Sequence, residues 1–238
     1  MQNANSYQKQ FDEAFFNDGY NICDTFIRGG LTAETLALGI SAMYKSIDGF
    51  IDTFLGTAEK QGMPTDCKRG CAHCCHQTVL ATTYELVFLG DFLKKKYPGK
   101  ALNRIIERVD DKAQNTTNLK LEKLLRYKQA CPLLHSTGGF CMAYKARPIA
   151  CRIYLSKNVQ SCIDDLNTPL DDTIFPELFD LPSRAGRMMN EGFQARLRTA
   201  TGDKVQVFEN TIEGGLQTVF DNFGVEDWLK GKKVFKNN

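Results

Sequence analysis

A chain of 238 residues can bury one large core, or two small ones, without cross-links to staple it. Its 30 basic and 28 acidic residues leave a net charge of +2, too little for the broad field that grips nucleic acid or anionic lipid. Met1 to Gln10 are polar, with no basic start leading into an apolar run, and no stretch reaches the ~18 apolar residues of a membrane span, so the expectation is a cytoplasmic protein with neither a membrane nor a nucleic-acid partner.

From Ser6 to Arg28 the residues Tyr7, Phe11, Ala14, Phe15, Ile22 and Phe26 recur as one helical face, which Gly29 and Gly30 stop. A longer helix is predicted from Thr32 to Lys60, with Leu36, Ile40, Met43, Ile47 and Ile51 at helical spacing before Gly62 and Pro64. The short connection predicts that these two pair antiparallel. Residues 66–81 lack periodicity and read as a loop. Thr82 with Glu85 three positions on is a capping box, opening a helix that runs to Pro98 and Gly99. Further helices are expected over Ala101 to Lys112 and Leu119 to Lys128, with a polar break from Asn115 to Asn118 between them. Cys131 to Thr168 holds prolines and glycines and reads as irregular backbone shaped around a ligand. Ser183 to Thr199 and Val207 to Asn222 read as helices, although Gly186, Gly192, Gly214 and Gly215 weaken that pattern. The basic runs Lys94 to Lys96 and Lys230 to Lys233 favour helix ends and are otherwise expected to be solvated.

Nine cysteines punctuate this pattern, and eight of them crowd the middle of the chain: Cys67, Cys71, Cys74, Cys75, Cys131, Cys141, Cys151 and Cys162. In a reducing compartment such a cluster points to metal rather than disulfides. Four soft ligands within nine residues can surround one ion with little loop-closure cost, whereas the later four need a fold to bring them in. Neighbouring side chains diverge, so Cys74 and Cys75 do not readily serve one ion together. One zinc takes four ligands, which leaves three solutions: one site with spare thiols, two four-cysteine sites, or an iron–sulfur cluster. Spacing does not choose between zinc and iron. Cys23 falls on an amphipathic helix and reads as a small hydrophobe. His73 and His76 flank the double cysteine as possible extra ligands, His135 as a loop residue. Arg147 and Arg152 are candidates to donate to thiolate sulfurs and offset their charge, with surface ion pairing as the plainer reading, and Tyr144 as core.

The run Cys67, Lys68, Arg69, Gly70, Cys71, Ala72, His73, Cys74, Cys75 resembles the core of a bacterial cysteine-cluster family described as zinc- or iron-chelating. Glu85 opens a helix in a similar place. The downstream half is similar too, in Cys131-Pro132 with Leu134, Gly139 and Cys141 with Tyr144, Arg147-Pro148, and Cys151-Arg152. One departure is the spacing from Cys67 to Cys71, three residues rather than two. The resemblance implies metal chelation. Part of that family resembles flagellin lysine methylases, which carry such a cluster in a longer chain, but no G-x-G-x-x-G loop for a methyl donor occurs here. Cys67, Cys71 and Cys74 also show the spacing of radical S-adenosylmethionine enzymes, and the helical pattern argues against their barrel.

The sequence thus predicts a mainly α fold: a helical bundle with irregular cysteine-rich loops pinned around a metal site. It reads as one domain over 1–238, with a chelating core at 67–162 between helical flanks 1–66 and 163–238. The leading function is chelation of zinc or iron, as a mononuclear, dinuclear or iron–sulfur centre. The alternatives are a metal-cluster-dependent enzyme, such as a lysine methylase-like transferase or a redox enzyme, and an interaction scaffold with structural zinc.

Overall fold

In the computed structural model, residues 2–63, 65–68, 70–221 and 223–235 are described. Among them stand ten α-helices and one pair of short antiparallel strands, so the expected mainly α architecture holds. Pro64, Arg69 and Asn222, each used in reading the sequence, lie outside the described residues.

One layer consists of α1 (Gln2–Ile27), α2 (Ala33–Lys60) and α8 (Asp180–Thr201). Thr32 caps α2 reciprocally with Thr35, each N–H donating to the other's hydroxyl at 3.1 and 2.9 Å, which contributes on the order of 1 kcal/mol. Phe50 meets Phe11 and Phe15 near the start of α1, while Gly39 faces Phe26 near its end, so α1 and α2 are antiparallel as predicted. The main neighbour of α1 is nevertheless α8. Asp12 pairs with Arg184 at 2.6 Å and Asp24 with Arg196 at 2.8 Å, equal spacing along both helices, so these two run parallel. Two glycines let their backbones touch: a Cβ on Gly19 would sit 1.8 Å from the Met189 carbonyl oxygen, and one on Gly192 1.9 Å from that of Phe16. The glycines that weaken the helical pattern of this region are therefore close-packing points.

The second layer is a pair of strand–helix units. β1 (Leu80–Thr82) pairs antiparallel with β2 (Glu209–Thr211), Leu80 opposite Thr211, and each strand runs directly into a helix, α3 (Thr83–Lys96) and α9 (Ile212–Phe220). A threonine caps each helix, Thr82 in a capping box with Glu85 and Thr211 by accepting the Gly214 N–H at 3.1 Å. Leu86 packs into Gly215 and Val219 into Gly90, the same register on both helices. The helices thus lie side by side in the same direction, and the two units are related by an approximate local twofold axis. Neither strand was legible as such, three residues being too few for an alternating pattern.

Around these layers, α4 (Lys100–Thr116) buries Ile105, Val109 and Ala113, packs against α9 and outlasts its expected end at Lys112 by one turn, which buries Ala113 and Thr116. α5 (Leu121–Arg126) is shorter than expected, since the chain extends at Tyr127. The middle of the chain is less irregular than expected: α6 (Ile149–Arg152) carries Cys151 and α7 (Val159–Asn167) carries Cys162. A last helix, α10 (Val225–Leu229), seats Trp228, fully buried, with its Nε1–H on the Gln206 carbonyl at 2.9 Å. Lys94 is not merely solvated, for its ammonium donates to the carbonyls of Val219 and Phe223 at 2.7 and 3.1 Å. Cys23 lies in the core, where burial pushes its thiol up to about 12, consistent with a small hydrophobe. No helix among the described residues is long and apolar enough to cross a membrane.

Candidate metal centre

All nine cysteines are free thiols. The first four of the cluster sit on residues 66–79, which turn once through a 3-10 turn at His73–His76. The Cys75 carbonyl accepts the Cys131 N–H at 2.7 Å and the His76 carbonyl accepts the Gln129 N–H at 3.0 Å, laying residues 129–131 beside this turn. α4 fixes the same segment from behind: Arg108 donates to the carbonyls of Cys131 and Leu134 at 3.1 and 2.6 Å, and Lys112, itself buried, to that of Gln129 at 3.0 Å. A tight hairpin follows, in which Leu134 bridges to Cys141, so Cys131 and Cys141 flank its base. Gly139, at φ +59°, turns the tip next to Gly70, whose oxygen would lie 3.1 Å from a Cβ there.

Cys151 is positioned by Glu85, a carboxylate only 1 % exposed. One oxygen accepts the Tyr44 hydroxyl at 3.0 Å and the Ile149 N–H at 2.7 Å; the other accepts the N–H and hydroxyl of Thr82 at 3.2 and 2.8 Å. One buried anion thus closes the cap of α3, the start of α6 and a contact to α2. Four donors are what make such burial tolerable. Arg152 performs the complementary task as a cation. Its guanidinium, 3 % exposed, lies over the Tyr44 ring at 4.0 Å, pairs with Asp48, and donates to the carbonyls of Arg147 and Lys145 at 2.9 and 2.7 Å. It is buried structural glue between α2 and the loop before Cys151, not a surface ion pair.

Cys67 and Cys162 are held by another set of contacts. The Ser156 N–H donates to the Cys67 sulfur at 3.2 Å and the Ser156 hydroxyl to the Asn158 carbonyl at 2.7 Å, next to the start of the helix that carries Cys162. α7 packs against the 3-10 turn, and Asp165 on it is clamped by Lys128 at 2.5 Å, Arg126 at 3.2 Å and Gln77 at 3.2 Å.

The sulfurs sense one another. Cys71 is raised by burial and by Cys67 and Cys74; Cys162 by burial and by Cys67, Cys74 and Cys71. Cys151 is raised by burial and by Cys131, Cys141 and Cys74. Burial pushes Cys131 to about 11, with Cys141 adding to it, and raises Cys141. The side chains of Cys74 and Cys75 hydrogen-bond to each other, which lowers Cys74 and raises Cys75. Against this repulsion stand backbone donors. The N–H groups of His73, Leu133 and Ala143 face the sulfurs of Cys71, Cys131 and Cys141, each two residues past the thiol it serves, and favour the charged form.

This donor set fits a thiophilic cation. Four of the eight thiols, Cys67, Cys71, Cys131 and Cys141, have a backbone N–H beside the sulfur, which favours the thiolate against the effect of burial. Arg147 adds an orphaned group: its Nε is buried and without a partner, and its charge lowers Cys74 and Cys141 and opposes the rise of Cys151. Its guanidinium rests 4.2 Å over the Tyr144 ring, which is half exposed rather than core. The gathering is not yet a closed shell, for among the described residues no three His, Cys, Asp or Glu side chains converge enough to hold an ion as they stand.

Two of the three histidines have other contacts. His76 Nδ1 lies 3.1 Å from the Ala72 carbonyl, and the His135 ring stacks on Phe140 at 4.6 Å while its Nδ1 accepts the Gly138 N–H at 3.1 Å. Tyr44, Asp48, Arg108, Lys112 and Ser156, which build the site, carry no local signal in the sequence. Glu85 is legible only as half of a capping box.

Residues 66–168 match the model of the CxxCxxCC family, described as “Putative zinc- or iron-chelating domain”. The matched segment contains all eight clustered cysteines. No curated protein and no solved structure matches the chain, and similarity to flagellin lysine methylases is not shown.

Proposed function

We propose that this protein chelates zinc or iron through the thiolates of Cys67, Cys71, Cys74, Cys75, Cys131, Cys141, Cys151 and Cys162, with Arg147 donating to sulfur and Arg152 bracing the loop that carries it. The supporting observation is that the segment similar to the chelating family holds all eight of these cysteines as free thiols, on loops the fold ties together at Cys75–Cys131 and at Cys67–Ser156. Bound there, a cation would replace repulsion between sulfurs by attraction and tie residues 67–162 together, so metal and local fold are linked. The protein reads as one domain over 1–238, because buried apolar residues from Cys23 to Phe235 join a single cluster across both flanks. Free thiols in this number suit a reducing cytoplasm. Elemental analysis of protein purified without oxygen tests the proposal: at least one equivalent of zinc plus iron is expected, and folded, metal-free protein overturns it. A visible charge-transfer band together with acid-labile sulfide would identify iron–sulfur chemistry, and a colourless loaded protein zinc.

A further inference from the structure

We infer that the face formed by α5 and the loop over residues 168–175 is where two copies of this chain meet, in a twofold, isologous dimer. Large apolar side chains grouped in solvent mark an interaction surface, whereas scattered ones need no explanation. Four of them fall on these two short segments: Leu121 and Leu125 are 60 % and 48 % exposed, Leu170 and Phe175 97 % and 60 %. Leu121 and Leu125 stand about one turn apart on the same side of α5.

Arg126, the last residue of α5, joins the two segments. Its side chain donates to the carbonyls of Pro169, Ile174 and Thr168 at 3.2, 3.1 and 3.4 Å and to that of Asp171, and lies 5.1 Å from the centre of the Phe175 ring. The buried Asp165 carboxylate fixes the same guanidinium at 3.2 Å. Asp171 stiffens the loop further by accepting the N–H and hydroxyl of Thr173 at 2.9 and 2.6 Å. Backbone drawn inward onto one cation leaves Leu170 pointing out. The apolar tips are thus carried on fixed backbone, and ordering them for a partner costs little entropy.

The charges beside these tips select the partner. α5 and its preceding residue expose Lys120 and Lys123 against one acid, Glu122, while the loop exposes Asp171 and Asp172 and carries no base. None of Lys120, Lys123 and Asp172 has an ion-pair partner among the described residues. Within one chain the two halves lie side by side with Arg126 in the seam, so neither covers the other. A twofold rotation that lays α5 of one copy on the loop of the next brings lysines to aspartates, and Leu121 and Leu125 to Leu170 and Phe175, twice over. Like halves face to face would instead oppose charges of the same sign.

Sedimentation velocity of the full chain, purified without oxygen, should show a monomer–dimer equilibrium between about 1 μM and about 1 mM. Leu170→Asp changes a side chain that the fold does not use, and should weaken the dimer by at least about tenfold with helical circular dichroism unchanged. Lys120→Glu with Lys123→Glu in one chain, and Asp172→Lys in another, should each weaken self-association. Mixing these two variants should restore it, because the new acids meet the new base while the remaining lysines meet the remaining aspartates. A chain that had merely lost its fold would not be rescued in this way. Metal content per chain should be the same in all variants, which keeps this test separate from that of chelation. A monomer at every concentration overturns the inference and leaves the face to a different protein. A dimer that Leu170→Asp leaves intact, or charge variants that mixing does not rescue, overturns it too.

Discussion

The helical layers and the cysteine-bearing segments are stabilised by different physics. Between α1, α2 and α8, and between α3 and α9, cohesion is apolar and steric: Leu36, Met43, Leu86 and Phe193 are fully or almost fully buried, and helices touch through Gly19, Gly192, Gly90 and Gly215. Residues 66–79 and 129–162 are fastened mainly by polar clamps, Glu85, Arg108, Arg152 and Asp165, and keep most of their thiols only half-buried. Apolar packing is self-sufficient, whereas a scaffold fastened by polar clamps depends on every buried donor and acceptor keeping its partner.

Removing metal should separate the two regions most sharply. Structural zinc contributes on the order of 10 kcal/mol to small thiolate domains. Chelation under anaerobic conditions should therefore abolish hydrogen-exchange protection around Cys75, Cys131 and Cys151 while amides of α1, α2 and α8 stay protected; equal loss in both would show a single cooperative unit. Next in size is Glu85→Ala, which strips an acceptor from four buried donors and should destabilise the metal-loaded protein by about 3–5 kcal/mol in denaturant unfolding, with Glu85→Gln costing less. Gly192→Ala tests the apolar side alone. Its methyl would collide with the Phe16 carbonyl, so a loss of about 1–3 kcal/mol is expected with metal content unchanged.

The smallest effect concerns pH. Burial raises the Asp91 carboxyl above its ordinary 3.8, although it accepts the Val225 N–H. The folded state therefore keeps that proton longer than the unfolded chain, and stability falls as pH rises from 3.8 through the raised value. Asp91→Asn should flatten that part of the stability–pH curve, gaining slightly at neutral pH and nothing below 3.8; an unchanged slope would contradict it.

The long helices were legible because their apolar faces repeat over several turns, as at Leu36, Ile40, Met43 and Ile47. Thr82 and Glu85 announced the start of α3. What stayed hidden depends on partners far away in the chain: β1 and β2 are too short to alternate, and Cys151 and Cys162 fall on helices of four and nine residues amid proline and asparagine. The cysteine-rich segment itself was legible from residue type alone. How it is braced was not, since Asp48, Arg108 and Ser156 look like ordinary polar residues until the fold brings them to Arg152, Cys131 and Cys67.

Because β1 and β2 meet at one three-residue ladder, everything from α3's end to the Glu209 strand is an excursion that departs from and returns to the same axis. The entropy of closing such a detour rises only with the logarithm of its length, so doubling it would weaken the junction by roughly 0.6 kcal/mol. The stretch around Leu170, almost wholly exposed, can thus lengthen or shrink with little consequence for the paired strand–helix units.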